Sequence, residues 1–159
     1  MPSLKGVITD AGRLLSRRQD GKIRNEVRRI VRRFPQLRSH TLITRVPEDV
    51  PFEKFAFWVF NQGTLCSILD KGGLNFQLLL VIDSDSGRDN LSIGYGLELF
   101  VSVAHLQRVL AAGAKALGLE TYDEATLAIL EKSTEVLHER GDAIPRSYGM
   151  QAKAQSTEF

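Results

Sequence analysis

The chain has 159 residues, 43% hydrophobic and 25% charged, the composition of an ordinary globular domain long enough to bury a core without staples. A single cysteine, Cys66, excludes an intrachain disulfide framework and a cysteine-built zinc site. The net charge of +2 hides an asymmetry, because residues 1–45 carry +9 and the rest of the chain carries −7, a bipolar pattern suited to binding an anion or another copy.

Residues 6–15 read as a short lead-in. Ser16 with Gln19 three residues on makes a capping-box pattern that starts a helix over 16–34. Its apolar stripe is Ile23, Val27, Ile30, Val31 and Phe34, and Pro35 ends it. Residues 40–46 alternate as a strand does, and Pro51 opens a second helix that reaches 61 and stops at Gly63. Phe52, Phe55, Ala56, Val59 and Phe60 form its core face, with Phe57 and Trp58 at the flanks. Strands are expected at 76–83 and 90–95, joined by the acidic turn Asp83, Asp85, Gly87 and Asp89 as a hairpin. Helices follow over 102–117 and 122–139; beyond Ile144 the polar, aperiodic sequence reads as a disordered tail. Helices interleaved with three strands predict an α/β single-domain sandwich, a small mixed sheet covered by helices on both faces. The domain spans 1–143 and the tail 144–159.

The most informative stretch is LNFQLLLVIDSDSGRDNLSIGYGLE, residues 74–98. Its Leu, Val and Ile run suits a buried central strand, so carboxylates gather at a rigid strand end, beside the glycine-permitted backbone of Gly94 and Gly96. As a helix–loop–helix calcium loop the turn fails, because glycine comes at the fifth position and the twelfth is Gly94 in place of Glu. As an aspartyl-phosphate nucleophile, Asp83-Ser84-Asp85 lacks the later acidic pair that would hold magnesium. Gly94-x-Gly96 is no dinucleotide fingerprint, since Leu99 stands at the third glycine position. His40, His105 and His138 lack metal-ligand spacing, and Cys66 reads as a small buried hydrophobe. The first helix carries Arg24, Arg28, Arg29, Arg32 and Arg33, whose like-charge neighbours at i, i+4 oppose the helix and point to an anion-facing surface or a solvated face. No aromatic residues interleave with the arginines, which argues against specific nucleic-acid binding.

GVITDAGRLLS, the LLLVIDSDSG strand and turn, IGYGLE, and TYDEATLAIL in that order resemble the TPM domain family, over residues 6–137. The resemblance implies an α/β sandwich that acts as an acid phosphatase or as an accessory factor of membrane complexes, with divalent-cation binding in some members. Carried onto this chain, Asp10, Asp83, Asp85, Gly94, Gly96 and Glu98 fall on the family's motif, and Asp89 adds a third carboxylate to the turn. Val103 stands where an acidic residue is common. The expectation is a soluble binding or accessory module with a protein partner and a calcium or magnesium site at Asp10, Asp83, Asp85 and Asp89, and no other cofactor. The alternative is a metal-assisted acid phosphatase. No apolar run is long enough to span a bilayer and the amino terminus lacks a signal peptide's apolar region. As given, the chain reads as cytoplasmic, and as exported if it is an excised domain.

Overall fold

The computed structural model describes residues 7–62 and 76–141. The helix stop at Gly63, the setting of Cys66 and the tail from 144 onward lie outside the described residues. Among the described residues ten elements follow one another: β1 (Ile8–Asp10), α1 (Arg17–Arg33), β2 (Arg38–Thr44), α2 (Phe52–Gln62), β3 (Gln77–Asp83), β4 (Asp89–Ile93), α3 (Tyr95–Glu98), α4 (Val103–Ala111), α5 (Ala114–Gly118) and α6 (Tyr122–Glu139). They build a single-domain α/β fold on a mixed four-stranded sheet of order β1-β2-β3-β4. β1, β2 and β3 run parallel, and β4 returns antiparallel to β3.

Each residue of β3 is buried, because helices cover both faces of the strand. Leu78, Leu80 and Ile82 pack with Ile43, Leu91, Ala125, Ile129 and Val136 under α4, α5 and α6. Leu79 and Val81 point the other way, with Leu42, into the Phe52, Phe55, Ala56 and Val59 face of α2. Helix α1 lies on the first side, where Ile23, Val27 and Ile30 meet Ile8 and α6. Both parallel steps move in the same direction across the sheet, yet α1 and α2 cover opposite faces. The two crossovers therefore have opposite hands, whereas two right-handed ones would put both helices on one side.

Three local expectations change. The lead-in contains a fourth strand, β1, whose residues pair with Thr41, Leu42 and Ile43. The glycine segment winds into the short helix α3, with Gly94 at its N-cap. The helix expected over 102–117 breaks into α4 and α5 at Ala112 and Gly113, where a side chain on Gly113 would meet Ile129 Cδ1 at 2.7 Å. The capping box of Ser16 and Gln19 forms as expected, with Gln19 N donating to Ser16 Oγ and Ser16 N to Gln19 Oε1.

Candidate functional site

The parallel strands deliver Asp10, Thr44 and Asp83 to one end of the sheet, where an open α/β sheet offers its crevice. The β3–β4 hairpin closes there. Asp83 N donates to Arg88 O at 2.8 Å, and Gly87 N, at a φ of +70° that glycine tolerates, donates to Asp83 O at 2.8 Å. Ser84 N donates to Thr44 O at 2.9 Å, tying the turn to β2.

Asp83 is 3% exposed and its carboxylate is the hub of the turn. Oδ1 accepts from Val46 N at 3.1 Å and from Asp85 N at 3.1 Å, and Oδ2 accepts from the Ser86 hydroxyl. Burial alone would push this carboxyl up. Those hydrogen bonds from Ser86, Val46 and Asp85, with the nearby Arg88 guanidinium, outweigh it and hold the group below the ordinary carboxylate range. A carboxylate offers about four acceptor positions, so three are in use and one remains on Oδ2.

Around this hub stand residues that no sequence motif singled out. Arg88 Nε donates to Ser86 Oγ at 3.2 Å, and its guanidinium lies 5.1 Å from the centre of the Phe52 ring. Arg45 Nε stands 3.6 Å from Asp85 Oδ2, an exposed and therefore weak pair. The Tyr122 hydroxyl donates to Ser84 O at 2.7 Å and clamps the start of α6 onto the turn. Burial raises the pKa of this phenol, and Glu120, Asp83 and Asp85 raise it further. Of these, Ser86 was legible as the third residue after an aspartate in a turn. Arg45 and Tyr122 come from distant segments and carry no local signal.

The expected carboxylates share one end of the sheet but not one face. The strand register aligns Asp10 with Ile43, Ile43 with Ile82, and Ile82 with Asp89. Side chains paired this way project from the same face, here the one under α6. Asp83 follows Ile82 and projects from the opposite face, toward Val46 and α2. Asp10 and Asp89 are three strand spacings apart, about 14 Å. Asp10 holds its own loop: Leu14 N donates to Oδ1 at 3.0 Å and Leu15 N to Oδ2 at 2.8 Å. Burial pushes the Asp89 carboxyl up. Among the described residues no three His, Cys, Asp or Glu side chains group as a metal site. The pair that could share a cation is Asp83, through its remaining Oδ2 position, and the exposed Asp85, completed by loop carbonyls and water.

The glycine segment is not beside the acidic turn. β4 carries the chain back across the sheet, so Gly94 N donates to Gln77 O at the start of β3, about 17 Å from Asp89. Gly96 and Glu98 lie in α3 at that far end, and Glu98 is exposed.

On α1, Arg28, Arg29, Arg32 and Arg33 are exposed, whereas Arg24 is half-buried and pairs with Asp20. Arg28 reaches Asn25 at 2.9 Å, and Arg29 reaches the buried Glu26 at 3.2 Å. Glu26 also accepts from Thr134 of α6 at 3.0 Å. No helix among the described residues is long and apolar enough to cross a membrane.

No family model and no curated protein matches the sequence. Solved structures do share its fold. The N-terminal domain of a protein from P. gingivalis is 24% identical with a TM-score of 0.68, over 82% of this chain and 80% of that one. The BA42 protein of the psychrophilic bacterium Bizionia argentinensis is 13% identical with a TM-score of 0.65, over 87% of this chain and 90% of that one. The N-terminal domain of the cg2496 protein of Corynebacterium glutamicum is 16% identical with a TM-score of 0.60, over 90% and 82%. At these identities the likeness is one of fold.

Proposed function

We propose that this chain is an accessory binding module of the TPM type that acts through a protein partner, with the β3–β4 turn as its organised tip. One observation carries the reading: Asp83 spends three of about four acceptor positions on Val46, Asp85 and Ser86. A carboxylate so engaged clamps a loop, while a nucleophile or general base needs lone pairs aimed at a substrate. The exposed pair of Arg45 and Asp85 beside it offers a polar, reversible contact surface. A divalent cation would add to this tip through Asp83 Oδ2 and Asp85, stiffening the turn for its partner.

The second reading, a metal-assisted acid phosphatase, draws on the same two carboxylates. They would hold an ion that polarises a phosphoryl oxygen and lowers the pKa of a bound water. Two measurements on the purified chain separate the readings. Hydrolysis of an aryl phosphate is assayed at acid and neutral pH with calcium, magnesium, manganese or zinc supplied, and the melting temperature is recorded with and without calcium. The module reading expects no turnover in any condition, and a calcium-dependent rise in melting temperature that Asp85→Asn removes. Metal-dependent turnover abolished by Asp85→Asn would replace the module with the phosphatase.

A further inference from the structure

The end of the domain opposite the acidic turn gathers two kinds of side chain. Leu97 and Val101 belong to the same buried cluster as Phe34 and Leu37, and the strand register puts α3 and the C-terminal end of α1 at the same end of the sheet. Arg140 Nε donates to Phe100 O at 2.8 Å and pins the connection between α3 and α4 to the end of α6. With Leu97 facing inward, Tyr95 and Leu99, four residues apart, face out. Tyr95 is 73% exposed, Leu99 80% and Val103 70%. Scattered apolar residues on a surface are ordinary, but here three large exposed ones fall within nine residues of chain at one end of the domain.

The most basic helix of the chain ends at this same end of the domain. Arg32 and Arg33 are exposed in its last turn and take no hydrogen bond or ion pair among the described residues. Arg29 is exposed one turn earlier. The only carboxylate within 94–103 is Glu98. Exposed cations, of which Arg29 also reaches Glu26, at one end of the domain with exposed apolar side chains match one environment well: anionic headgroups over an acyl boundary, with tyrosine at the interface.

We propose that this end of the domain docks on an anionic lipid bilayer, with Arg29, Arg32 and Arg33 on headgroup phosphates and Tyr95, Leu99 and Val103 inserted at the interface. The binding is peripheral and electrostatically assisted, since three apolar side chains do not hold a domain on a membrane by themselves. It leaves the acidic turn at the other end of the sheet free to meet its partner.

The test is co-sedimentation of the full chain with phosphatidylcholine vesicles, with and without phosphatidylglycerol, at low and high salt. Binding is expected only to the acidic vesicles and is expected to fall as salt rises. Arg32→Gln with Arg33→Gln should weaken it roughly thirtyfold, from two basic contacts. Tyr95→Ser with Leu99→Ser should weaken it at least about tenfold while retaining the salt dependence. Arg17→Gln with Arg18→Gln, about 22 Å away along α1, should change it little. All of these positions are exposed, and a circular-dichroism melt of each variant verifies that it folds. Three results would overturn the proposal. They are no binding to acidic vesicles, an equal loss from the two arginine pairs, and an oligonucleotide or a second copy of the chain bound in place of the vesicles.

Discussion

Replacing Asp83 by alanine removes the acceptor of three hydrogen bonds at once, and their surroundings set the cost. Asp85 and Ser86 are exposed, so their freed donors turn to water. Val46 is 4% exposed and packs against α2, so its N–H would be left without an acceptor. An orphaned buried donor costs about 1–3 kcal/mol, and losing the charge-assisted bonds of the turn adds about 1 kcal/mol. Asp83→Ala should therefore lose about 2–4 kcal/mol, which lowers the melting temperature by roughly 4–16 °C in a domain of this size. Asp83→Asn keeps one acceptor oxygen for the two N–H groups and should cost about half as much. The protonation linkage has a definite sign. The folded carboxyl titrates below its ordinary 3.8, so its stabilisation is complete above that value and is lost as pH falls through the lower, folded one. Urea denaturation of wild type and both variants from neutral pH into this acid range should show the gap between wild type and Asp83→Asn closing as pH falls. An alanine variant within about 0.5 kcal/mol of wild type, with an unchanged pH profile, would refute the view of Asp83 as the structural hub of the turn.

Two further expectations follow from side-chain surroundings. Asp89 has a folded carboxyl raised by burial, so its charged form is disfavoured and stability falls as pH rises from 3.8 through the raised value. Asp89→Asn should thus be neutral or stabilising at neutral pH, and a clear loss there in a urea titration would show that the charge has a partner. Gly113→Ala would set a methyl group 2.7 Å from Ile129 Cδ1 and 3.0 Å from Ala125 O, and should cost about 1–3 kcal/mol by overpacking. A stabilised variant in thermal denaturation would mean that α4 and α5 can run as one helix.

What the sequence determined by itself is what local forces settle. Helix α1 follows from a stripe of apolar residues and a capping box, both complete within 17–19 residues of chain. β3 follows from an apolar run that only a strand buried on both faces can satisfy, and the hairpin after it follows from its aspartates, serines and glycine. The tertiary structure decided what depends on a partner distant in sequence. β1 is three residues without a period, and it is a strand because Thr41, Leu42 and Ile43 offer it a parallel edge. Gly113, at the break between α4 and α5, has no room for a side chain because Ile129 of α6 occupies that space. The site depended on tertiary structure most of all. A side chain's face alternates with every residue of a strand, so a register offset of one puts Asp83 on one side of the sheet and Asp10 and Asp89 on the other. Three carboxylates expected to converge on one site, Asp10, Asp83 and Asp89, are thereby divided between two faces, because pairing register, which no single segment contains, sets where each one points.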